Sequence, residues 1–127
     1  MRNRLIPRTE WFRFFSDFSR RHHGEAATVR VLDPRIGSQV EARDLPLEGI
    51  ETVADGVGPI AVFLGSAPPH ANIEHLIQEP KQVWLESSEA GVEETLDIES
   101  VDGTKTLIQL APAERTACVV PSCSVTQ

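Results

Sequence analysis

Five of the seven aromatic side chains, Trp11, Phe12, Phe14, Phe15 and Phe18, fall between positions 11 and 18. Trp11, Phe14, Phe15 and Phe18 recur at i, i+3, i+4 and i+7, the spacing of one face of an α-helix. Only Phe63 and Trp84 remain for the rest of a 127-residue chain, so this helix has to be a main wall of the core. Projected at about 100° per residue, His22 falls on the aromatic stripe, while Arg13, Asp17, Arg20 and Arg21 fall on the opposite side. Thr9 is the expected N-cap, with Glu10 in the first turn where a carboxylate suits the positive end of the helix dipole. Arg20, Arg21, His22 and His23 complement the negative end, and Gly24 supplies a left-handed stop.

After Gly24 the hydrophobic period drops from 3.6 to 2. Thr28-Val29-Arg30-Val31 and Gln39-Val40-Glu41-Ala42-Arg43 alternate on either side of a turn at Arg35-Ile36-Gly37-Ser38 and predict two antiparallel strands. The segment 44–50 contains Pro46, which cannot donate to a ladder, and is expected on an edge or in a loop. Ile60-Ala61-Val62-Phe63-Leu64 is a continuous apolar run, expected at the centre of the sheet and buried on both faces. Ile73-Glu74-His75-Leu76-Ile77 and Val83-Trp84-Leu85 read as further strands. Leu96 and Ile98 share a face with Ile108 and Leu110 only if the hairpin loop is odd in length. A three-residue loop Val101-Asp102-Gly103, with Gly103 left-handed, meets that condition, whereas a two-residue Asp-Gly turn would not.

The length suits one domain, and 40% hydrophobic with 24% charged residues is ordinary for a soluble globular chain. No window approaches 18 consecutive apolar residues, and the N-terminus turns polar before a signal sequence could form, so a cytoplasmic location with no membrane contact is expected. The net charge of −7 is unevenly spread. Residues 1–35 hold eight arginines against four acids, a balance of +4; the remainder holds four basic residues against fifteen acids, −11. The overall acidity argues against nucleic acid as a partner. Cys118 and Cys123, spaced C-x4-C, match neither a zinc pair nor a secreted disulfide framework.

Catalytic and cofactor motifs are lacking. No G-x-G-x-x-G, phosphate-binding loop, H-E-x-x-H or G-x-S-x-G occurs, so neither cofactor nor metal is expected. Arg20, Arg21 and His23 form the one basic cluster that could hold an anion or an acidic partner, although the dipole at a helix C-terminus stabilises such cations without any ligand. His22, on the apolar stripe, and His75, alternating with Ile73 and Ile77, could both face the core. Their convergence would create a polar pocket between helix and sheet.

The stretch Ile6-Pro7-Arg8-Thr9-Glu10-Trp11, then Val31-Leu32, Gln39-Val40-Glu41-Ala42, Asp44-Leu45-Pro46-Leu47 and Gly49-Ile50, resembles a family of short uncharacterised bacterial proteins classed as a domain of unknown function. The resemblance continues through the hairpin around Asp102-Gly103, covering about residues 3–110. It implies a stand-alone bacterial domain and carries no catalytic residues to transfer. The expected fold is α+β: an N-terminal amphipathic helix packed on a curved antiparallel sheet, or half-open barrel, of five to seven strands over residues 1–110, with 111–127 as a tail. The expected function is a non-enzymatic binding or assembly module with a protein partner or a second copy of itself. The alternative is a small enzyme or ligand-binding protein whose pocket lies between helix and sheet.

Overall fold

A computed structural model describes residues 2–52, 58–65, 73–88 and 94–111. A short strand β1 (Arg2–Ile6) and a single 3-10 turn (Arg8–Glu10) lead into the helix α1 (Trp11–His22). Seven further strands follow: β2 (Ala26–Asp33), β3 (Gly37–Glu51), β4 (Ile60–Leu64), β5 (Ile73–Ile77), β6 (Pro80–Ser87), β7 (Glu94–Ser100) and β8 (Lys105–Ala111). All neighbours are antiparallel, in the order β1-β6-β7-β8-β2-β3-β4-β5. The expectation of an α+β fold with five to seven strands is therefore corrected. The described residues are mostly strand, 64%, with eight strands and one short helix among them. β1 was hidden because it pairs at an edge and its sequence Arg-Asn-Arg carries almost no apolar alternation.

The helix is the core wall that its spacing predicts. Trp11, Phe15, Phe18 and His22 are buried along one face, and Phe14 packs beside them. Trp11 keeps its polar atom satisfied inside the core, the indole N–H donating to the Ile6 carbonyl at 2.9 Å. Ser19 ties the helix to β3: its Oγ accepts from the Ile50 N–H at 2.8 Å and donates to the Ile50 carbonyl at 3.2 Å. Thr9 is not the cap. Pro7 (φ −61°, ψ 145°) opens a 3-10 turn through the Glu10 N–H to its own carbonyl, and the helix begins at Trp11 with no capping side chain. At the other end Gly24 takes φ +86° and its N–H donates to the Leu47 carbonyl, so the stop residue also docks the helix exit on β3.

β3 spans two pairings. Its first part lies against β2, and from Leu47 onward it pairs with β4. The corner falls at Asp44, a non-glycine residue at φ +53°, whose N–H is taken up by Thr28 Oγ1 at 3.2 Å. Pro46 follows at once. It sits in an interior strand, not at the edge or in the loop expected of it, because at a corner the missing donor is not needed; its carbonyl still accepts from the Gly65 N–H at 2.9 Å. β4 is likewise not the centre of the sheet but the last strand but one. Its apolar run reports burial, with Ile60, Val62 and Leu64 fully enclosed in the same core as the helix aromatics. The β7–β8 hairpin has the register expected of it. Leu96 faces Ile108, the Ser100 N–H donates to the Thr104 carbonyl, Gly103 adopts φ +92°, and Leu96, Ile98, Ile108 and Leu110 are all buried.

Candidate functional site

Both ring nitrogens of His22 lie 2.7 Å from a carboxylate, Nδ1 from Glu25 Oε1 and Nε2 from Glu94 Oε1. A carboxylate only accepts, so the two bonds are complete together when both nitrogens carry hydrogen. The ring is 8% exposed and its centroid stands 4.4 Å from that of Phe18. This is a clamp: it joins the end of α1 to the residues leading into β2 and to the first residue of β7. The Arg21 guanidinium, over the Phe18 ring, lies 3.4 Å from the same Glu94 oxygen.

The basic cluster at the helix end is consumed in the same way. Asp17 receives Arg20 at 2.7 Å on one oxygen and Arg21 at 3.0 Å on the other. Of the three cations singled out from the sequence, Arg20 and Arg21 thus have internal acid partners, and His23 is exposed at the turn that leaves the helix. The two histidines do not converge. His75 lines a separate cavity of about 250 Å³ with Glu41 from β3 and Ser100, Asp102 and Thr106 from the β7–β8 hairpin. Burial holds His75 below the usual imidazole range, while the nearby Glu41 charge pulls the other way. Among the described residues, no three His, Cys, Asp or Glu side chains come together to hold a metal. Cys118 and Cys123 lie outside the described residues.

The outward face of α1 carries what the stripe analysis passed over. An open groove of about 840 Å³ runs along it, lined by Phe12, Arg13, Asp17 and Arg20 from the helix and Arg4 from β1. Phe12 is 50% exposed in that groove. Arg4 stands over the Phe14 ring at 5.8 Å, and Arg13 has no ion-pair partner among the described residues. The signal was present in the sequence, because Phe12 is the aromatic that the i, i+3, i+4, i+7 pattern leaves out. Arg4 had no such signal, since its approach to the groove depends on β1 pairing with β6.

A family model described as "Family of unknown function (DUF5335)" matches residues 2–117. The chain belongs to this family. The chain is also similar to an uncharacterised protein of Aquifex aeolicus (strain VF5), 28% identical over 114 residues that cover 89% of this chain and 96% of that protein. No solved structure matches the chain. The DUF5335 match extends over all eight strands and the helix, so the groove, the His22 clamp and the His75 cavity all lie within the family region.

Proposed function

We propose that this DUF5335 chain is a non-enzymatic, cytoplasmic protein-interaction module that grips an acidic segment of a partner protein in the outward groove of α1. The observation that carries this reading is Phe12, half exposed on a helix whose Trp11, Phe15 and Phe18 are buried, in a groove that Phe14 also lines and that holds Arg4 and Arg13 beside the Asp17–Arg20 pair. Aromatic and arginine side chains dominate the energetics of protein interfaces, the ring supplying apolar area and the guanidinium planar recognition of carboxylates. The excess of arginine in residues 1–35, against the strongly acidic remainder, favours an acidic partner for this face. What weighs against the enzyme alternative is that His22 is occupied by Glu25 and Glu94 and is not among the residues lining the cavity of His75.

The test is fluorescence anisotropy with short labelled peptides rich in Asp and Glu and carrying one Leu or Phe, at low ionic strength. Wild type is expected to bind at micromolar concentration, more weakly as salt rises, and Phe12→Ser and Arg13→Glu are each expected to lose at least about tenfold in affinity, or 1.4 kcal/mol. Both side chains are exposed, so melting temperature is expected to hold. Equal binding by wild type and Phe12→Ser, or no binding at any attainable concentration, would sink the proposal.

A further inference from the structure

The face of the sheet turned away from the core divides its charges by strand. Register sets one row across it: Leu5, Trp84, Asp97, Leu107, Arg30 and Val40, on β1, β6, β7, β8, β2 and β3 in turn. Leu5 and Val40, at the two ends, are 44% and 40% exposed. Along the paired rows of the four middle strands, the outward acids Glu86, Asp97 and Glu99 all stand on β6 and β7, whereas the outward bases Lys105 and Arg30 stand on β8 and β2. Arg30 forms no ion pair among the described residues. One oxygen of Asp97, at the middle of the row, is buried without a hydrogen bond, so this carboxylate has lost hydration that nothing inside the chain replaces. A cation in front of Trp84 and Asp97 would meet both an aromatic ring and an unpaired acid.

We infer that this face is a two-fold interface between two copies of the chain, packed sheet against sheet about an axis that runs along the strands between β7 and β8. Such a rotation keeps every residue at its height along the strands and exchanges β7 with β8 and β6 with β2. Arg30 of each copy then lies over Trp84 of the other, one strand away from its Asp97, and Lys105 lies over Glu99 of the other. Packed sheets stand about 10 Å apart and neighbouring strands about 4.8 Å apart, a gap that an arginine on one side and a tryptophan or carboxylate on the other close together. An axis one strand to either side would take Arg30 off the ring. A two-fold contact requires a surface complementary to itself, and here the acidic half meets the basic half twice over. Each copy supplies the cation that the other lacks, which favours a second copy over an unrelated partner.

The experiment is sedimentation equilibrium of the full chain at low salt. A patch four strands wide is at the small end of specific interfaces, so wild type is expected to dimerise with a Kd of roughly 10–100 µM and to be monomeric when dilute. Arg30→Glu and Asp97→Lys are each expected to weaken the association at least about tenfold. An equimolar mixture of the two is expected to regain it, because in the mixed dimer every position 30 meets a position 97 of opposite charge. Glu99→Lys and Lys105→Glu, at positions that water still reaches, form a second such pair should Asp97→Lys fold poorly. A wild type that stays monomeric at the highest attainable concentration, association unchanged in Arg30→Glu, or neither mixture tighter than its separate variants would overturn the inference. Phe12→Ser is expected to dimerise as wild type does. Loss of association in that variant would assign the contact to the α1 groove and sink this interface, whatever the peptide measurement shows.

Discussion

His22 holds two carboxylates at once, Glu25 just beyond the helix and Glu94 at the start of β7. Its position follows from helical spacing alone, whereas Glu94 reaches it from a distant strand and no local pattern announces that. His22→Ala would leave Glu25 and Glu94 partly buried without their shared partner and open a hole beside Phe18. A loss of roughly 2–4 kcal/mol is expected in chemical denaturation, short of a fully buried pair because both carboxylates retain some solvent contact. A change within experimental error would show the clamp to be ornamental. Asp97 poses the opposite case. It lies between Trp84 and Leu107 on the outer face of the sheet, one of its oxygens is buried without a hydrogen bond, and burial raises its pKa above 3.8 while Lys105 works against the rise. A carboxyl with a raised folded-state pKa adds most stability when protonated and loses that contribution as pH climbs through the folded value. Asp97→Asn is therefore expected to be more stable than wild type at pH 7, by roughly 0.3–1 kcal/mol given how much of the side chain water still reaches. The gap is expected to close as pH falls towards 3.8, which melting curves across that range would follow.

Among the elements, the hairpin and the helix were readable because their signals are local. The odd loop of β7–β8 follows from which face Leu96, Ile98, Ile108 and Leu110 must share, and the loop length then demands a left-handed residue at its end. Gly103 takes that position at φ +92°, and a Cβ added to it would stand 3.3 Å from Pro34 Cγ. Gly103→Ala is accordingly expected to cost about 1–2 kcal/mol by denaturation, from left-handed strain with crowding added. A neutral result would mean that the turn can re-form with another geometry. β3 and β4 were misplaced for a shared reason. Proline and an apolar run say which backbone donors are missing and which side chains avoid water, but neither says where a strand stands in the sheet. In β3 the missing donor falls just after the corner at Asp44, and in β4 the alternate residues Ile60, Val62 and Leu64 join the common core although the strand is next to the edge. The helix face that became the candidate site was half legible: periodicity isolated Phe12, but only the pairing of β1 brings Arg4 beside it.

The topology of the entire sheet sets how the chain can reach this state. β1 pairs with β6 and β2 with β8, so the two ends of the described chain are incorporated next to strands far from them in sequence. Closing such long loops costs entropy before the contacts repay it, and α1, whose aromatic face needs the strands in place, cannot be stable alone. One continuous core joins Ile6 of β1, the α1 aromatics and residues of every other strand, which leaves no subset able to bury its own apolar surface separately. Folding is therefore expected to be a single slow step, with a rate constant on the order of 1–1,000 s⁻¹, typical of domains dominated by non-local pairing. Two tryptophans in different environments make this measurable. Trp11 is enclosed under the helix and Trp84 lies on the outer face of β6, so Trp84→Phe and Trp11→Phe each leave a single reporter. Stopped-flow refolding of the two variants is expected to give single exponentials whose rates, corrected for each variant's stability, coincide. Well-separated rates, or a fast phase seen only from Trp84, would instead show that the β6–β7–β8 region forms first and the N-terminal strand and helix dock onto it later.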